Sequence, residues 1–228
     1  MVGCDDPWKI GWRIYREKWV VMSAIVASYL IFAAITYSSV LNREVARIVI
    51  GVSSILVPAT LVTVAARKQS FSALISATIA YAILAGIAIT PRLIIQDITD
   101  MATIGVGTIL TVIITGILLI YLAIRLIWAP VIATVENPIS AFVDAWKLSG
   151  KRGKIATCTA IGVVAIGIWA AFALWILSMV VAMLLQSPQA IPVLAGIITV
   201  ITWPWAIATT VAGFNIALKT DTGKQSQD

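Results

Sequence analysis

Arg125, Glu136, Asp144, Lys147, Lys151, Arg152 and Lys154 are the residues of this sequence that could do chemistry together, because they crowd into one stretch, Tyr121 to Lys154, of a chain that is otherwise apolar. Arg125, Glu136 and Asp144 are the clustered polar residues that an enzyme acting on a lipid headgroup would use, and the four further cations would lie near lipid phosphates. No nucleophile, metal or cofactor motif accompanies them, so an enzyme is not the reading we favour. Histidine is absent, and the two cysteines, Cys4 and Cys158, lie far apart in the sequence. From these neither a disulfide framework nor a zinc ligand set is expected, and no metal or cofactor. The plainer role for Arg125 is structural: it snorkels to the headgroups, or it pairs with Glu136 or Asp144 and braces the break at Pro130.

The elements that must position this stretch are dictated by composition. Of the 228 residues 61% are apolar and only 11% charged, outside the range of soluble globular domains. Lipid is the solvent, so every backbone group must be satisfied within its own element, and long apolar runs without ten-residue alternation form helices. The formal charge of +6 would suggest nucleic acid in a soluble protein. Here its distribution is topological, and no nucleic-acid partner is expected.

Taken in order, residues 7–18 place Trp8, Trp12, Tyr15 and Trp19 on one helical stripe with Lys9, Arg13 and Arg16 off it, the pattern of an interfacial helix with rings at headgroup depth. Six transmembrane spans follow at 19–40, 45–66, 71–90, 104–128, 155–185 and 191–218, the fifth too long for one upright crossing. Asn137 caps a second amphipathic helix, 138–150, whose first turn takes Pro138 and whose end falls at Ser149-Gly150. Ile139, Phe142 and Trp146 occupy one side of it, and Asp144, Lys147 and Lys151 the other. Residues 219–228 read as a flexible tail. Small residues recur at Ser72, Ser76 and Ala80 and at Thr103, Gly107, Thr111 and Thr115, marking seams between helices. Pro58 and Pro204 interrupt the second and sixth spans.

Counting cations in the short connections sets the orientation. One side receives Lys9, Arg13, Arg16, Lys18, Arg67, Lys68, Arg125, Lys147, Lys151, Arg152, Lys154, Lys219 and Lys224; the other receives Arg43, Arg47 and Arg92, with Asp97 and Asp100. Both termini are therefore expected in the cytoplasm. The fold class is all-α: one polytopic helical membrane bundle of six transmembrane helices plus two interfacial amphipathic helices.

Arg125, Ala129-Pro130, Glu136, Ala141, Trp146-Lys147-Leu148-Ser149 and Gly150-Lys151 resemble the signature between the fourth and fifth helices of the bacterial six-helix family named after the membrane domain of glycerophosphoryl diester phosphodiesterases. Ala145 stands where that signature has a serine. The resemblance implies a bacterial inner-membrane protein. It does not imply the phosphodiesterase activity, which belongs to a separate soluble domain and uses an acid-base pair that a chain without histidine does not supply.

The function expected is that of a non-catalytic accessory or organising component, with the bilayer, its anionic headgroups at the cytoplasmic face, and other membrane protein subunits as partners. Trp8, Trp12, Arg13, Arg125, Glu136, Asp144, Lys147, Lys151, Arg152 and Lys154 are the residues expected to touch lipid or brace the fold. A small facilitator for a neutral or amphiphilic solute is the alternative; no carboxylate or lysine falls at mid-membrane depth to couple an ion.

Overall fold

The computed structural model describes residues 5–38, 43–68, 70–101, 106–185 and 190–225. Among them every regular element is a helix: α1 (Asp5–Ser38), α2 (Arg43–Ala65), α3 (Phe71–Met101), α4 (Val106–Leu126), α5 (Ala129–Ile132), α6 (Pro138–Lys151), α7 (Gly153–Leu185) and α8 (Ala190–Gln225). Five of these helices contain stretches long and apolar enough to cross a membrane, and α3 contributes a shorter apolar stretch, Phe71–Ile87. Large apolar side chains point outward along them, Ile113, Ile117 and Ile120 on α4 and Ile161, Ile168 and Trp169 on α7 among them, which is the surface a lipid-facing helix presents.

At three places the helices run further than the expected elements. The interfacial segment 7–18 and the first span are one continuous helix, α1, because no proline, glycine pair or capping residue separates Lys18 from Trp19. Of its stripe, Tyr15 is buried and Trp8 half-buried, while Trp12 and Trp19 stay exposed; the neighbouring Pro7 and Gly11 are buried against the bundle. The third helix does not stop at 90 but continues through the expected loop to Met101, and the expected tail is helical as far as Gln225. The loop carboxyls Asp97 and Asp100 have side chains outside those described.

The bundle centres on α8, which runs antiparallel to both α1 and α7. Small residues make this possible. A methyl group on Gly11 would stand 2.6 Å from the Thr209 Cα, and one on Gly213 would stand 2.1 Å from Thr159 Oγ1. Thr209 and Gly213 lie one turn apart, so α1 and α7 close onto neighbouring strips of α8, and dispersion between near-touching backbones replaces the hydrophobic drive that lipid cannot supply. The seam expected on α3 is real but shifted: Ala73, Ala77 and Ala80 are buried, while Ser72 is exposed.

Proline does the rest of the shaping. Pro204 has no N–H, which leaves the carbonyl of Val200 without its helical donor, and Ser23 Oγ on α1 donates to that carbonyl at 3.4 Å. The flanking rings seal the crossing: Trp205 meets Trp8 at 4.2 Å and Trp12 at 5.1 Å between centroids, and Trp203 stacks with Tyr29. At the end of α2 the chain reverses through Arg67, in the left-handed region at φ 58°, and the Lys68 N–H bonds back to the Thr63 carbonyl at 2.9 Å. The Lys18 ammonium donates to the Val64 carbonyl, a cation on the negative end of α2.

These contacts put the start of α1, the end of α2, the end of α4, all of α6, the start of α7 and the end of α8 at one end of the bundle. Arg13, Lys18, Arg67, Lys68, Arg125, Lys147, Lys151, Arg152, Lys154 and Lys219 are gathered there. At 1.5 Å per residue α1, α7 and α8 are each about 50 Å long, more than the roughly 30 Å of a hydrocarbon layer. The surplus is accommodated by tilt or by extension beyond the lipid.

Gly213→Ala should therefore cost about 1–3 kcal/mol, since overpacking forces a backbone or rotamer shift, and Thr159→Ala in the same chain should recover more than half of that loss. Thermal unfolding in detergent of the two single variants and the double variant checks the coupling.

Candidate functional site

The site is the fold-back between α4 and α6. α4 ends at Leu126, the chain turns through Ile127 and Trp128, and α5 follows as a single turn with Pro130 in its first positions. Trp128, Ala129, Pro130, Val131 and Ile132 are all buried, so this turn plugs the bundle. Trp128 is fully buried, and its Nε1 has no acceptor among the described residues. A second turn leads to Asn137, whose side-chain Oδ1 accepts from the Ile139 N–H at 2.9 Å, with Pro138 at the first helical position as the sequence foretold.

α6 is oriented otherwise than its polarity suggests. Ala141, Ala145 and Ser149, four residues apart, are the buried strip, while Ile139 is 74% exposed, Val143 51% and Trp146 40%. Of its large apolar residues, Phe142 and Leu148 pack on the core. Ser149 and Gly150 do not close the helix, which continues to Lys151. They attach it to α4 instead. Ser149 Oγ bonds to the Arg125 carbonyl at 2.9 Å and to the Trp146 carbonyl at 3.1 Å, and a Cβ on Gly150 would stand 2.7 Å from Arg125 Nη1. A carbonyl in the last turn of α4, which has no helical donor, is thereby satisfied.

Among the described residues Arg125 meets rings and no carboxylate, so of the two expected roles the bridge to Glu136 or Asp144 is not formed. Its Nε donates to the Tyr121 hydroxyl at 3.1 Å, and its guanidinium carbon lies 5.3 Å from the Tyr121 ring centroid and 5.1 Å from that of Trp146. The two rings meet edge to face at 5.8 Å. Tyr121 precedes Arg125 by one turn and so shares its helix face, a signal present in the sequence. Trp146 could not be assigned to Arg125 without knowing how α6 folds back.

The carboxyls pair with each other. The Glu136 carboxyl is held above its ordinary value, first by burial and then by a hydrogen bond and the nearby charge of Asp144. Asp144 also meets Lys147 at 3.7 Å, an exposed pair of little energetic weight. Both carboxyls line a cavity of about 440 Å³ with Lys68, Thr134, Phe214 and Asn215. Lys68, Phe214 and Asn215 are not legible as part of this site, because nothing local links the end of α2 or α8 to the fold-back. A second cavity of about 350 Å³, lined by Tyr81, Leu122, Leu126, Pro130, Val163 and Ile207, is apolar and lies between α3, α4, α7 and α8.

The remaining expected residues are dispersed. Lys147, Lys151 and Lys154 are exposed, and Arg152 Nη2 donates to the Thr220 carbonyl at 2.9 Å, tying the α6–α7 corner to α8. Arg13 is exposed on α1, and Trp8 and Trp12 belong to the Trp205 contact, away from the fold-back. Cys158 is disulfide-bonded, contrary to expectation, whereas Cys4 lies outside the described residues. Among the described residues no group of three or more potential metal ligands occurs. No protein-family model, curated protein or solved structure matches this chain.

A carboxyl whose folded value is raised stabilises the fold below the ordinary carboxylate range, and that contribution is lost as pH climbs through the raised value. Glu136 should thus titrate above the ordinary glutamate range. Asp144→Asn should move it downward but not to the ordinary value, because burial, the larger cause, remains. Carbon-13 titration of glutamate-labelled protein in nanodiscs measures both.

Proposed function

We propose that the chain is a non-catalytic multi-pass component of the bacterial inner membrane whose α6 lies in the cytoplasmic lipid interface, where it binds and organises lipid and offers a platform to other membrane protein subunits. The observation that carries this is the outward set Ile139, Val143 and Trp146 on a helix whose next residues outward are Lys147 and Lys151. Apolar residues that face away from the protein, beside cations, match the boundary between acyl chains and anionic headgroups. The gathering of cations at one end supports placing that end in the cytosol, with both termini and six crossings, the third made by α3. The likeness of Arg125, Ala129-Pro130 and Trp146 through Lys151 to the six-helix family accords with the same placement.

A second reading, a facilitator for an amphiphilic solute, rests on the apolar cleft between α3, α4, α7 and α8. Solute flux in proteoliposomes that persists without any partner chain would favour it.

Gentle extraction into nanodiscs, followed by identification of the lipids and chains that travel with the protein, tests the first reading. Anionic lipid should be enriched over the bulk membrane. The combined change Lys147→Gln, Lys151→Gln and Lys154→Gln should remove most of that enrichment, since each cation near the surface contributes about 1 kcal/mol. Equal enrichment in both proteins contradicts the reading.

A further inference from the structure

A guanidinium has five N–H donors. Here Nε is taken by the Tyr121 hydroxyl, and neither Nη has an acceptor or a carboxylate within reach among the described residues. The side chain is half-buried, in the last turn of α4, and Tyr121 beside it is 45% exposed and Trp146 40%. The rings hold the guanidinium in a fixed plane, and Gly150 leaves room for Nη1 that any larger residue would take. The result is a preorganised planar donor pair with its charge unopposed, at the depth where Tyr and Trp gather in membrane proteins.

We infer that Arg125, framed by Tyr121, Trp146 and Gly150, is the seat of a membrane phospholipid, gripping its phosphodiester through the two Nη groups. Planar bidentate geometry suits phosphate, and lysine would not reproduce it. A phosphodiester is common to zwitterionic and anionic phospholipids, so this site does not select by net headgroup charge. It rests on the reading that α6 lies in the lipid interface and sharpens it to one lipid position. The selectivity for anionic lipid belongs to Lys147, Lys151 and Lys154 and is separable.

Native mass spectrometry of delipidated protein, titrated with phosphatidylethanolamine, with diacylglycerol or with inorganic phosphate as competitor, decides the matter. Wild type should retain phosphatidylethanolamine and not diacylglycerol, and inorganic phosphate should not displace the lipid. Arg125→Gln should lower phosphatidylethanolamine retention about tenfold. Gly150→Ala, which keeps every charge but places a methyl group against Nη1, should lower it too, and so carries the test if Arg125→Gln fails to fold. The triple lysine variant should retain phosphatidylethanolamine as wild type does, so loss of anionic preference there and loss of phospholipid at Arg125 are told apart. Unchanged phosphatidylethanolamine retention in folded Arg125→Gln or Gly150→Ala, equal retention of diacylglycerol, or displacement by inorganic phosphate each overturns the inference.

Discussion

The hydrogen bond from Ser149 to the Arg125 carbonyl is the constraint on which the functional end of the molecule depends. Near lipid, a helix that simply stops leaves carbonyls without donors, and water is scarce enough there that the protein must supply one. Ser149 does so from another element, which fixes α6 across the end of α4. Once it is fixed, Gly150 must face the guanidinium and Trp146 must lie against it, because both are on the same turn. Asn137 and Pro138 set where α6 starts, and the buried plug from Trp128 to Ile132 sets how sharply the chain returns. The placement of Arg125 is therefore a result of backbone satisfaction and not of charge pairing.

The other half of the structure is held by close approach. α8 presents Thr209 and Gly213 to α1 and α7, and neither neighbour could come as near if Gly11 or Gly213 carried a side chain. The aromatic contacts of Trp205 and the Ser23 bond to Val200 repair what Pro204 disrupts in the same helix. Because these contacts lie toward the basic end, the start of α1 is part of the core and not a peripheral anchor. That end carries a dense positive field around a fold-back of unusual polarity.

Much of this was legible in the sequence. Proline at 130, Asn137-Pro138 and the apolar runs announced the fold-back and the helices, because breakers and caps act locally. The orientation of α6 was not, since sorting residues by hydrophobicity assumes that large apolar side chains face inward. In α6 the small residues Ala141, Ala145 and Ser149 go inward, where backbones approach, and Ile139 and Val143 go outward. The ring partners of Arg125 are not legible for a related reason: opposite charges in the sequence invite pairing, whereas two rings stabilise a cation without a second ion to desolvate. The continuity of α1 was missed because an aromatic stripe with cations reads alike whether it meets headgroups or another helix.

The central claim is that α6 sits in the lipid interface with its apolar residues toward acyl chains and its lysines toward water. Spin labels at Val143→Cys and Lys151→Cys, in nanodiscs and with Cys4 and Cys158 replaced, test it through collision with oxygen and with a water-soluble nickel chelate. The account predicts that position 143 collides preferentially with oxygen and position 151 with nickel. Preferential nickel contact at both positions would show α6 standing in water, and the account would fail.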